Sequence, residues 1–177
     1  MMKSINYCFQ NNNVASFYFD REDNCIHLTG MICAYNDSEL LISHITPRGE
    51  YDGFILKMIS DLYKMDYNGD YEKKIINLYS LKNQTHPNIN INNDAQFFSL
   101  IDFAKDEKHL ISAELNNDKI TGFVIDYDDD YITLNIIDDY ARSIGVTVIN
   151  IDEIVTLSCD TDYEQDLKLM YENSMMK

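Results

Sequence analysis

Two stretches of this 177-residue chain carry the same pattern 92 residues apart, and this constrains the fold more than any other feature. Positions 28–82 fall on 120–174 without a gap, with 11 identities in 55 positions. The matches include Thr29-Gly30 on Thr121-Gly122, Gly53 on Gly145, and Asp70-Tyr71-Glu72 on Asp162-Tyr163-Glu164. Glycines are structurally demanding positions, so their coincidence over a gap-free span points to an internal duplication. A chain of this length has room for two modules of about 80 residues each.

Each copy reads as β-rich. His27 to Tyr35 is apolar and β-prone, Asn36-Asp37-Ser38 is a polar turn, and Glu39 to Thr46 returns, which is a hairpin by length and turn chemistry. The second copy repeats it as Lys119–Tyr127, a turn of three aspartates, and Tyr131–Ile137. Further strands are expected at Gly53–Met58 and Leu62–Tyr67, and at Gly145–Ile149 and Ile154–Cys159. Asp70 and Asp162 are candidate N-caps of a closing helix in each copy. Tyr71, Ile75, Leu78 and Tyr79, matched by Tyr163, Leu167, Met170 and Tyr171, mark one core-facing stripe. A helix capped by Asp94 is predicted from Ala95 to Lys108, whereas Ile5–Phe9, followed by three asparagines, does not repeat its pattern. Residues 83–94 hold Pro87 and many turn formers, and read as a linker with an exposed His86. The expected fold is therefore mainly β with short helices. It consists of two tandem bent-sheet or small-barrel modules, 1–82 and 95–177, joined by 83–94 and each closed by a C-terminal helix.

The stretch from Ile111 to Cys159 resembles an Sm-like barrel, a fold of the SH3-like kind. Gly122 within a strand is followed six positions later by Asp128, and a helix precedes them; in the first copy Gly30 is followed by Asn36. The resemblance implies a closed small barrel. It does not bring RNA-binding residues with it. The family's base-contacting asparagine would fall near Thr133 and Leu41, and the basic aromatic trio of its bacterial RNA-chaperone branch has no counterpart in Ile149–Glu153.

Charge limits the partners. Fourteen basic residues against thirty acidic give −16, and the excess lies almost wholly in residues 89–177, with 6 basic and 19 acidic, against 8 and 11 in residues 1–88. A surface of that sign repels phosphate backbones and anionic lipid, so nucleic acid and membrane are not expected partners. The expected function is that of a non-enzymatic, cytoplasmic binding module, an adaptor or inhibitor whose acidic surface recognises a basic protein. The alternative is an Sm-like nucleic-acid binder. Arg48 and Tyr51 in one loop, and Tyr140 and Arg142 in its counterpart, are the candidate partner contacts, because Tyr and Arg favour interfaces. Asp126, Asp128 and Asp130 are a weak candidate for a hard cation, outweighed by the ordinary use of aspartate in turns. His27, His44 and His109 stand alone in the sequence. No nucleophile-elbow, Walker or dinucleotide motif occurs, and no catalytic residue or cofactor is expected. Cys8, Cys25, Cys33 and Cys159 form no C-x-x-C pair and fit reduced thiols. No apolar run approaches the roughly 20 residues of a membrane span, and the N-terminal residues lack the apolar core of a secretion signal.

Overall fold

In the computed structural model, residues 1–176 are described except 24, 93 and 94. The chain divides into two compact units, Met1–Gln96 and Phe97–Lys177. The expected cap Asp94 lies outside the described residues.

The first unit runs α1 (Met2–Gln10), β1 (Val14–Tyr18), β2 (Leu28–Tyr35), β3 (Glu39–Ile45), β4 (Tyr51–Met58), a 3-10 turn at Ile59–Asp61, β5 (Lys64–Tyr67) and α2 (Asp70–Leu81). The second runs α3 (Gln96–Asp106), β6 (Leu110–Glu114), β7 (Lys119–Tyr127), β8 (Tyr131–Ile137), β9 (Ser143–Asn150), a 3-10 turn at Ile151–Glu153, β10 (Thr156–Cys159) and α4 (Asp162–Met175). The strand orders are β5-β1-β2-β3-β4 and β10-β6-β7-β8-β9, with antiparallel neighbours. Among the described residues the fold is mainly β with four helices.

The closed barrel expected from the Sm-like and SH3-like resemblance is corrected here. Among the described residues β4 is not paired with β5, nor β9 with β10, so each unit is an open antiparallel sheet. A bulge interrupts β2 between Ile32 and Ala34, and β7 between Val124 and Asp126, where one strand carries an extra residue. Gly30 and Gly122 sit just before these bulges because the neighbouring strand crowds them. A Cβ at Gly30 would lie 2.2 Å from the Ser43 carbonyl oxygen, and one at Gly122 would lie 2.4 Å from that of Asn135.

Each core has a closing helix on one face. Val14, Ile45, Ile75 and Tyr79 pack together, with Met31 against them, under α2. Leu110, Ile137, Ala141 and Leu167 do the same, with Phe123 and Tyr171, under α4. Of the expected stripe, Leu78 is only half-buried and Met170 is exposed, so the seam is narrower than the sequence pattern. A second cluster in the first unit joins Ile5 and Cys8 to Ala15, Phe17, Ile32, Leu40, Ile42 and Leu62. This corrects the reading of residues 5–9, which are helical. Two residues one turn apart, Ile5 and Cys8, give α1 all of its buried contact, too thin a stripe to read against its polar surroundings.

The caps differ from expectation as well. Asp70 and Asp162 are the first residues of α2 and α4, while Gly69 and Thr161 occupy the N-cap positions. Aspartate in the first turn still gains from the helix dipole, which is why the sequence pattern is one residue away from the truth.

Candidate functional site

Of the four candidate partner residues, Arg48 is the most exposed and lies 3.4 Å from Glu50. Tyr51 is half-buried, packed edge-on against Phe54 and His86, so it supports the core more than it offers a contact. Tyr140 is 76 % exposed, and the Arg142 guanidinium lies 5.2 Å from its ring centre. Arg142 also donates to Asp138 Oδ2 through Nε at 2.9 Å and Nη2 at 2.6 Å, and this holds the Asp138 carboxyl below its usual pKa. The pairs Arg48/Tyr51 and Tyr140/Arg142 belong to different units.

The aspartate turn does not gather ligands. Asp128 Oδ1 accepts from the backbone N–H of Asp130 and Tyr131, and Asp126 faces Lys105 at 3.5 Å. Among the described residues no three His, Cys, Asp or Glu side chains are arranged to hold a metal ion. Asn36 in the first unit makes the same turn bonds, to Ser38 and Glu39, which explains why Asn and Asp alternate at this position.

His86 is the clearest correction. Instead of standing in solvent, it is enclosed by the first unit. Its Nε2 donates to the carbonyls of His44 at 2.9 Å and Gly53 at 3.1 Å, and its Nδ1 accepts from the Tyr79 hydroxyl at 2.7 Å. Burial holds its pKa below the ordinary histidine value. Gln84 accepts from the Tyr51 N–H, so the chain is tethered to this unit at least to residue 86. Nearby, His44 Nδ1 lies 2.8 Å from Asp52 Oδ2, off the hydrogen-bond direction. His109 stands likewise 2.9 Å from Asp160.

The feature that sequence reasoning missed is a pair of buried glutamates. Glu72 is 5 % exposed and Glu164 1 % exposed, each at the third position of its closing helix. Ser16 of β1 donates to Glu72 at 2.6 Å, and Ser112 of β6 donates to Glu164 at 2.5 Å. The two serines hold like places in their sheets, since Ser16 pairs with Thr29 and Ser112 with Thr121. The signal was present: the Asp-Tyr-Glu triplet recurs at the 92-residue shift, but the serines recur at 96, because the loop before β2 is four residues longer. A gap-free comparison stops just short of them.

The two carboxylates are treated differently. Glu164 also accepts from Ser158 Oγ at 2.7 Å, Thr161 N at 2.8 Å and Thr161 Oγ1, completing a capping box. Among the described residues Ser16 is the one donor to Glu72. Glu72 lines an open cleft of about 530 Å³ in the first unit. Tyr18, His27, Tyr67 and Tyr71 line it with Asp66 and Asp70. The His27 ring lies 5.1 Å from Tyr18 and 5.5 Å from Tyr71. Lys64 sits 3.9 Å from the Tyr18 ring centre and 2.7 Å from Asp66, holding the Asp66 carboxyl below its usual pKa. The second unit has a smaller cleft of about 310 Å³, whose lining includes Lys105, Lys108, His109, Phe123, Tyr171 and Glu172.

No family model matches the chain, and no curated protein matches it in sequence. No helix among the described residues is long and apolar enough to cross a membrane.

Proposed function

We propose that this chain is a non-catalytic, cytoplasmic binding module, built from two duplicated units, that recognises a basic protein surface. The observation that carries the reading is the charge of the second unit. Residues 97–177 hold 18 acidic and 6 basic residues, a net of −12. The cations that do pair, Lys105 and Arg142, engage only Asp126 and Asp138 among the described ion pairs to lysine or arginine. Potential of one sign accelerates encounter with a surface of the other and makes it salt-dependent.

Duplication is supported by the backbone as well as the sequence. Left-handed residues recur at matching places: Asn12 and Lys108, Gly49 and Ala141, Gly53 and Gly145, Asn68 and Asp160. The four cysteines are free, which agrees with a reducing compartment.

The test is a titration of the full chain with a lysine-rich polypeptide and, separately, with single-stranded RNA. The expected result is polypeptide binding that weakens steeply as salt is raised, and no RNA binding at physiological salt. Low-micromolar RNA binding, or polypeptide binding indifferent to salt, overturns the reading.

A further inference from the structure

The difference between the two buried glutamates has a definite origin. In the second unit Ser158 and Thr161 close the box around Glu164. At the matching positions of the first unit stand Asp66 and Gly69. One exchange replaces a hydroxyl donor with a carboxylate, and the other removes a hydroxyl altogether. Glu72 is left 95 % buried with a single donor, in the lining of an aromatic cleft. An ionised carboxylate can accept about four hydrogen bonds, and Glu72 Oε2, which is not closed off from solvent, takes none from the protein among the described residues. A donor that enters the cleft can replace the water there.

The sign of that something follows from local charge. The first turn of α2 offers backbone N–H groups worth roughly half a positive charge, which by itself favours an anion. Asp70 and Glu72 already occupy that turn and outweigh it, while Asp66 is balanced by Lys64. The cleft is therefore negative. Tyr18, Tyr71 and His27 line it, and the Lys64 ammonium already lies 3.9 Å from the Tyr18 ring centre, so this wall accommodates a nitrogen cation.

We propose that this cleft binds one nitrogen cation bearing N–H donors, a primary ammonium or a guanidinium, with Glu72 as its buried counter-ion and the Tyr18, His27 and Tyr71 rings as its walls. This rests on the reading above for the source of the cation, a lysine or arginine side chain of the basic partner. A free diamine supplies the same chemistry and is distinguished in the test.

Full-length protein labelled with nitrogen-15 is titrated with N-acetyl-arginine amide, N-acetyl-lysine amide, putrescine and tetramethylammonium. Amide shifts around Gly69–Glu72 are expected with the first two. Tetramethylammonium, having no N–H, is expected to bind at least about tenfold more weakly, a factor equivalent to losing one charge-assisted hydrogen bond. Glu72→Gln should weaken the acetylated amides about tenfold or more. Tyr71→Leu, which keeps apolar contact, should weaken them severalfold and serves if Glu72→Gln does not fold. Putrescine binding better than either amide assigns the cleft to a free amine and overturns the side-chain source. Equal binding of tetramethylammonium, shifts mapping elsewhere, or no shift with any probe overturns the proposal. The outcomes separate from the broader reading through the lysine-rich polypeptide. If it still binds while every small probe fails, the cleft assignment falls alone. If the small cations bind and the polypeptide does not, the partner reading falls alone.

Discussion

Replacing Glu164 by glutamine should cost far more stability than the same change at Glu72. Glu164 takes four donors, two of them from Thr161 and one each from Ser112 and Ser158. Glutamine keeps one acceptor oxygen and turns an N–H₂ group toward the donors formerly held by the other. The serine hydroxyls can rotate to accept from it, but the Thr161 backbone N–H cannot. With its oxygen toward Thr161 and its N–H₂ toward the serines, the glutamine can keep all four contacts, and what is lost is the charge assistance of each; at roughly 0.75 kcal/mol per bond the expected loss is about 3 kcal/mol. Glu72 has Ser16 alone, and the serine hydroxyl bonds as readily to an amide, so its loss should stay below about 1 kcal/mol. For a unit of this size 1 kcal/mol moves the melting temperature by roughly 4–8 °C. Glu164→Gln should therefore melt its unit lower by about 12 °C or more, and Glu72→Gln by a few degrees. Thermal melts followed by far-UV circular dichroism measure both. Equal shifts, or a larger one for Glu72, would refute the claim that the number of donors governs these two carboxylates.

Other consequences are simpler. Gly122→Ala should destabilise the second unit by about 3 kcal/mol or more, because the Asn135 carbonyl oxygen 2.4 Å from the new Cβ is backbone and cannot swing away; urea unfolding reads it. His86 has a folded pKa below the unfolded value near 6.5, so between those values the unfolded chain binds more protons and stability falls as pH drops. His86→Gln should flatten the acid side of a melting-temperature profile below about pH 6.5, and an unchanged slope refutes the assignment. Burial pushes the Cys8 thiol up to about 11 and raises Cys33 and Cys159, while Cys25 is exposed. An aromatic disulfide reagent at pH 8 should show one fast thiol, abolished by Cys25→Ser.

What the sequence made legible follows from how local each cause is. The two hairpins are set by short-range alternation and by Asn36 and Asp128, whose side chains bond the next backbone amides, so their strands fall within a residue or so of expectation. The glycines at 30 and 122 marked an unusual demand on the backbone without revealing that it was the close approach of β3 or β8. Closure was not legible, because whether β4 meets β5 depends on accumulated bend and twist rather than on any residue in either strand. His86 was misplaced for a similar reason. Its partners, the carbonyls of His44 and Gly53, are 42 and 33 residues away, and a backbone acceptor leaves no mark in a sequence. Arg48, Tyr51, Tyr140 and Arg142 were chosen by residue type, which says nothing about whether a ring faces inward, and Tyr51 does.

The same distinction sorts the acids of the second unit into those that hold the fold and those available to a partner. Asp128 secures two backbone amides of its turn, and Asp138 secures those of Tyr140 and Arg142 as well as the arginine side chain. Glu164 ties α4 to β6 and β10. These carboxylates contribute to the net charge but are already engaged, and a partner could use them only by competing with the bonds they make. Asp129 lies exposed in the same turn as Asp128 and has no such bond among the described residues. Asp152 and Glu153 are likewise exposed on the 3-10 turn before β10. A basic surface drawn by the field of the whole unit would therefore gain its short-range contacts from this second group. Neutralising Asp129, Asp152 and Glu153 together should lower the affinity for a lysine-rich polypeptide and leave the melting temperature nearly unchanged. Neutralising Asp128 and Asp138 should do the reverse in proportion, losing stability first, because the bonds that end there are what shape the loops.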